Sequence, residues 1–250
     1  MKPLSTLAQS VRASTTMAID TQFKKMRAEG IDVIGFSVGE PDFPTPERIK
    51  QAGIRAIEAD QTKYTPTPGT LAVRQAVCQR LAEDWGLHYT TDEVVVTGGG
   101  KPVLYTALKA LVNPGDEVIL PAPYWVSYYE LIQMVGGTPV VVETTEENGF
   151  NLTPQQLRQA ITPKTKALIL NSPSNPTGMI YSRQHLEDLA QVCLEADLYV
   201  IADEMYSKLI FDGKEFVSFP TLSEAVKAHT ILVNGASKTY AMTGWRIGFA

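Results

Sequence analysis

The sequence is poor in the features that mark several large classes of protein. Only two cysteines, Cys78 and Cys193, occur in 250 residues. They lie far apart in helix-like stretches, so they read as small buried hydrophobes rather than a disulfide pair. Lysine and arginine form no block, and the net charge is -5. A nucleic-acid or anionic-membrane surface therefore lacks its electrostatic footprint. No apolar run approaches the ~20 residues needed to span a bilayer. The first sixteen residues lack the apolar segment of a secretory signal. Repeats, low-complexity tracts and coiled-coil heptads are missing too, and no metal site is expected. What is present is 44% hydrophobic content, in a length that suits one large domain or one and a half smaller ones. These traits fit a cytoplasmic enzyme, and the cytoplasm is the expected location.

Residues 17–29 read as a short amphipathic helix closed by Gly30, and Val33 to Val38 as a strand. A stiff loop with three prolines follows, from Gly39 to Pro46. Helices are expected over 47–59 and over 71–85, the second stopped by Gly86. Strands and helices then alternate. Strands are expected at 93–97, 117–120, 138–143, 166–171, 198–202 and 230–233. Helices are expected at 103–112, 125–135, 154–161 and 182–196. That alternation predicts right-handed crossovers and an α/β fold, a mostly parallel sheet with helices on both faces.

In such a sheet, ligands bind beyond the carboxyl ends of the strands. The residues standing there are Gly98 to Gly100, Pro121 to Trp125, Asn171 to Gly178, Asp203 to Tyr206, and Ser237-Lys238. Lys238 follows an apolar strand and sits among Gly, Ala, Ser and Thr. Desolvation disfavours its ammonium, so its pKa is expected to fall and its amine to become a nucleophile for an aldehyde. Glycines at a helix start admit a phosphate to backbone N–H groups. A nucleotide-binding P-loop is excluded, because Val95 and Pro102 stand where it needs a glycine and a hydroxyl residue. The dinucleotide fingerprint fails at Val103. Trp125 reads as a core residue or a flat surface for a ring. Asp203 is a buried carboxylate that needs a partner, a protonated ring nitrogen being one option and a helix cap or salt bridge the others. Arg246 offers a fork for phosphate or for an internal acid.

Taken in order, these motifs resemble the pyridoxal-phosphate-dependent aminotransferases of the aspartate aminotransferase type. The resemblance runs from about Asp32 to Ala250. It is carried by G-E-P-D-F at 39–43, G-G-K at 99–101, P-Y-W at 123–125, N-P-T-G at 175–178, D-E-x-Y at 203–206 and S-K-x-x-x-M-T-G-W-R-I-G at 237–248. The resemblance implies the following roles. Lys238 holds pyridoxal 5'-phosphate as a Schiff base and later moves the substrate proton. Asp203 pairs with the ring nitrogen, and Trp125 stacks on the ring. Asn175 and Tyr206 hydrogen-bond its phenolate oxygen. Gly99, Gly100, Lys101, Ser237 and Arg246 surround the phosphate. Tyr64 reaches a neighbouring subunit's phosphate, which implies a homodimer. Gly39 lies against the substrate carboxylate, and Lys101 helps to hold a distal carboxylate, with Ser14, Thr15 and Thr16 assisting. Trp125 and Asn175 also face the substrate.

The implied reaction moves an amino group from aspartate or glutamate to a 2-oxo acid. A lyase or decarboxylase on the same fold is a rival reading. A broader or prephenate specificity is an alternative: some relatives that accept prephenate use a lysine near position 12, whereas Arg12 stands here, which keeps the cation but changes the geometry. The family continues past position 250 with a small domain that supplies an arginine for the substrate carboxylate. The expected organisation is therefore an arm and part of a small domain over 1–45, a truncated cofactor-binding domain over 46–250, and no C-terminal small domain. A truncated, non-catalytic paralogue is the reading from a different class.

Overall fold

The structure is a computed structural model that describes residues 2–11, 15–36 and 38–250. Arg12 and Ser14 lie outside the described residues, as do the side chains of Thr15 and Thr16. The chain comprises two compact units, residues 1–42 and 43–250.

The first unit holds α1 (Thr6–Ser10), capped by the Ser5 side chain, and α2 (Thr15–Ala28). Within it Phe23 packs so closely on Gly35 that a Cβ there would stand 2.7 Å from the ring. The strand expected over 33–38 is not formed among the described residues. Residues 31–36 are irregular, and Ile34 and Phe36 are exposed. A strand exists only where a neighbour supplies a hydrogen-bonded ladder, and this run pairs with none among the described residues.

The second unit opens with α3 (Glu47–Glu58) and α4 (Leu71–Trp85). Thr70 caps α4, and Gly86 ends it in the left-handed conformation, φ 67°. Next come β1 (Val96–Thr97), α5 (Gly100–Leu111), β2 (Glu117–Ala122), α6 (Ser127–Met134) and β3 (Thr138–Glu143). They are followed by α7 (Pro154–Ala160), β4 (Thr165–Asn171), α8 (Arg183–Glu195) and β5 (Tyr199–Asp203). The unit closes with α9 (Glu224–Ala228), β6 (Thr230–Gly235), α10 (Ala236–Thr239) and β7 (Gly248–Phe249).

Among the described residues the strands form one seven-stranded sheet in the order β1-β7-β6-β5-β4-β2-β3. Strands β2 to β6 pair in parallel, whereas β7 is antiparallel to both β6 and β1. Only β7 therefore runs backwards, and β1 points the same way as the parallel strands. That direction brings the loop after β1 to the same edge as the loops after β2, β4, β5 and β6.

Period-two alternation sorts the strand side chains into two cores. Ile119, Leu168, Leu170, Val200 and Ala202 pack with residues of α7, α8 and α9 on one face. Val118, Leu120, Ala167, Ile169, Ile201 and Val233 pack with α5 and α6 on the other. The expected strand over 93–97 is shorter than its valines suggest. The Glu93 carboxylate accepts from both the backbone and hydroxyl of Thr90, at 2.7 and 2.9 Å, and pulls Thr91–Glu93 into a single 3-10 turn.

Beside the end of β5, Glu204 is buried with Asp203 as its neighbour. It accepts from the Ser218 hydroxyl at 2.7 Å and the Phe219 N–H at 2.8 Å, and so ties down the long loop after β5. Burial is the larger influence and pushes its carboxyl up from 4.5 to about 8. A carboxyl that binds its proton more tightly when folded stabilises the fold fully below its unfolded value. The contribution is lost as pH rises through the folded one. Thermal unfolding midpoints should therefore fall between pH 4.5 and about 8. Glu204→Gln should flatten that part of the profile, because the amide can accept from Phe219 N–H and donate to the Ser218 oxygen. Melting curves of both proteins across this range check it.

Candidate functional site

Polar residues gather at the carboxyl edge of the sheet. Asp203 ends β5, where it pairs with Asn171 of β4 on one side and Val233 of β6 on the other. The Asn171 amide donates to the Asp203 backbone oxygen at 2.8 Å, and the Asn171 side-chain oxygen accepts from Asn175 N–H at 2.7 Å. These bonds lock the 171–178 loop against the end of β5. The Asn175 amide reaches the Tyr206 hydroxyl at 3.3 Å.

Lys238 lies on α10, the single turn that follows β6, with Ala236 and Ser237 buried and Lys238 itself half-buried. The short helix starts where Ala236 N–H bonds to Ile247 O at 3.0 Å. The Lys238 Nζ stands over the Tyr206 ring, 5.7 Å from its centroid. Asn175, Tyr206 and Lys238 thus form one continuous wall.

The Asp203 carboxylate is 4% exposed. Oδ2 accepts from the Tyr128 hydroxyl at 2.7 Å, and Oδ1 from Met205 N–H at 3.2 Å. Burial pushes its carboxyl above the usual range, while both donors pull it back. No lysine or arginine forms a salt bridge with it among the described residues. A buried carboxylate with donors but no cation is an unusual expense unless a cationic partner arrives. Burial also raises the Tyr206 hydroxyl, with Asp203 adding to it and Asn175 opposing.

A second centre lies around the glycine loop. Gly99 has φ 106° and precedes α5. A Cβ there would meet Arg246 Nη2 at 2.2 Å, so the guanidinium lies directly on the loop. A Cβ on Gly248 would strike the Gly99 carbonyl carbon at 2.3 Å, so β7 can approach only as glycine. Arg246 donates to Thr243 O at 2.8 Å. Lys101 Nζ stands 4.9 Å from the Trp125 ring centroid. Its pKa is lowered, first by burial and then by Arg246. Two cations that repel each other, without a salt bridge among the described residues, sit at the N-terminus of a twelve-residue helix. That arrangement suits an anion.

The structure therefore brings Gly99, Gly100, Lys101, Trp125, Asn175, Asp203, Tyr206, Ser237, Lys238 and Arg246 to one edge of the sheet. Tyr64 is not part of this cluster; it is fully exposed. Gly39 is exposed and belongs to the first unit. Sequence reasoning missed Tyr128, which touches Asp203 directly, and placed Asn171 and Met205 at the strand ends without giving either a role. The signal for Tyr128 was its place three residues after Trp125, in the first turn of a helix leaving a strand end.

The residues fit a planar, anionic, ring-nitrogen cofactor. The same sheet edge offers two neighbouring cations at a helix terminus and a buried carboxylate that lacks a cation among the described residues. Trp125 supplies a flat face, and Lys238 an amine. Among the described residues no group of His, Cys, Asp and Glu could hold a metal ion, and no helix is long and apolar enough to cross a membrane.

Comparison with known proteins agrees with this chemistry. The family model of aminotransferase class I and II matches residues 31–250. An aspartate aminotransferase of Geobacillus stearothermophilus is 50% identical over 241 residues, 96% of this chain and 61% of the relative. An aspartate/prephenate aminotransferase of Thermus thermophilus is 44% identical over 250 residues, 100% of this chain and 64% of the relative. The Thermus thermophilus aspartate aminotransferase solved with maleate has a TM-score of 0.95 at 44% identity, covering 100% of this chain and 64% of that one. This chain thus spans under two thirds of the length of these relatives.

Proposed function

The chain belongs to the class I and II aminotransferases, and from that premise we propose that it is the cofactor-binding part of an enzyme that transfers an amino group from aspartate or glutamate to a 2-oxo acid. Asp203 carries this reading, being a carboxylate held ready in the interior with no cation among the described residues. The maleate bound by the Thermus thermophilus relative is a dicarboxylate, which favours a dicarboxylic substrate. Relatives named for prephenate as well make prephenate the second acceptor to assay. Family members use pyridoxal phosphate, and this chain's site suits it.

Pyridoxal phosphate, when bound, supplies an aldehyde for amines and an electron sink for charge at the substrate Cα. Asp203 would hold the proton on its ring nitrogen, because an ionised partner in a dry site favours the charged form. Trp125 would cover the ring. Asn175 and Tyr206 would donate to its phenolic oxygen. Gly99 and Gly100, the Ser237 hydroxyl, Lys101 and Arg246 would hold its phosphate. Lys238 Nζ would hold the cofactor covalently and, as a free amine, would serve as the base for the substrate Cα proton. Lys101 would also attract a distal carboxylate. The fully exposed Tyr64 suits contact with a second copy, so a homodimer is part of the proposal. So are the division at residues 45 and 46 and a cytoplasmic location.

Titration of the full-length protein with pyridoxal phosphate tests the reading: a visible absorbance band should appear, and aspartate with 2-oxoglutarate should yield oxaloacetate and glutamate in equal amounts. Absence of the band sinks the cofactor assignment. Unequal products favour lyase or decarboxylase chemistry instead.

Gly99→Ala should weaken cofactor binding roughly 10- to 100-fold. The methyl group would displace Arg246 and impose a strained backbone worth about 1–3 kcal/mol. Equilibrium titration with pyridoxal phosphate measures the change.

A further inference from the structure

We propose that Tyr128 is a positioning residue of this site, bracing the Asp203 carboxylate and the Trp125 ring against each other. The inference rests on the proposed function. Tyr128 is 2% exposed, so its hydroxyl must find a partner inside the protein. That partner is the carboxylate expected to face the cofactor nitrogen, at 2.7 Å. The ring of the same tyrosine meets Trp125 edge-on, with centroids 5.4 Å apart and planes at 89°. Its N–H bonds to Trp125 O at 3.0 Å, which fixes both rings to one turn of chain. One side chain therefore sets the plane that would cover a cofactor ring and the acid that would face its edge.

The two ends of this brace do different work. Tyr128 and Met205 N–H occupy different oxygens of Asp203, and two donors on two oxygens fix the carboxylate's rotation. Burial alone would drive Asp203 toward its neutral form, and a neutral acid cannot hold a ring nitrogen protonated. The Tyr128 hydroxyl opposes that drift by stabilising the anion. Tyr128 keeps its own proton, since burial and then Asp203 raise its pKa well above 10. It is therefore a permanent donor. The other titratable groups that act on this pair are Tyr206 and Glu204, whose charges would repel that of Asp203.

Tyr128→Phe removes the hydroxyl and leaves the ring on Trp125, so it separates the two roles. In the full-length protein loaded with pyridoxal phosphate labelled at the ring nitrogen, the nitrogen-15 resonance should move toward the neutral-pyridine position. Turnover should fall about 10- to 100-fold, the loss expected for a hydrogen bond to a charged group, with KM for the amino acid little changed. In an Asp203→Asn background the same substitution should add almost nothing, because it acts through the missing charge. An unmoved resonance with wild-type turnover overturns the proposal. So does full additivity of the two substitutions. If the wild-type protein takes up no cofactor, the proposed function fails rather than the brace. The pair is then read from a thermal-stability cycle of the same variants, in which additivity overturns the coupling.

Discussion

Lys238→Ala should abolish the visible band of the bound cofactor and stop transamination. The reason is geometric as well as chemical. Lys238 stands beside the Tyr206 ring on a helix of one turn, between the end of β6 and the loop that carries Arg246. Loss of a positioned proton carrier alone costs roughly 10²- to 10⁴-fold in rate, and the covalent hold is lost with it. Absorbance spectra and steady-state assays of the variant report the two losses separately. Lys238→Arg is the matching control. A guanidinium stays charged at any working pH and cannot act as a nucleophile, so it should be as inactive as alanine. An arginine variant with the wild-type band would refute the assignment of Lys238.

Asp203→Asn should bring the second large loss. The substitution is nearly isosteric, and an amide oxygen can still accept from Tyr128. What disappears is the charge. Breaking a buried ion pair by removing one partner costs roughly 3–5 kcal/mol, which is about 10²- to 10⁴-fold in turnover. The cofactor should still bind, because the cations Lys101 and Arg246 are left in place. Retention of the visible band with loss of turnover is thus the expected outcome. Wild-type turnover in this variant would remove the reason for a buried acid at the end of β5.

Much of the architecture is written in local pattern. The helix over Leu71–Trp85 follows from its apolar stripe, the Thr70 cap and the stop at Gly86. The strands at 117–122, 165–171 and 230–235 follow from short apolar runs between turns. Where the expectations failed, a neighbour decided. Residues 33–36 have strand-forming side chains but no ladder to join among the described residues. The strand expected over 93–97 loses its start, because the Glu93 side chain bonds to Thr90 first. Propensity describes what a segment could become, and pairing decides whether it does.

The candidate site divides in the same way. Chain order and residue type alone singled out the glycine loop, Trp125, Asn175, Asp203, Tyr206 and Lys238, because a parallel sheet sends every strand end to one edge. Nothing local could reveal that Tyr128 and Asp203, 75 positions apart, share a proton donor and its acceptor. By periodicity Tyr128 is one more buried aromatic on α6. Nor could local sequence tell that β7 turns back between β6 and β1, which is why Gly248 must be bare where it crosses Gly99. Order along the chain determined which chemical groups were available. Packing across the sheet decided which of them touch, since hydrogen bonds and steric contacts act over a few ångströms of space, however many residues intervene.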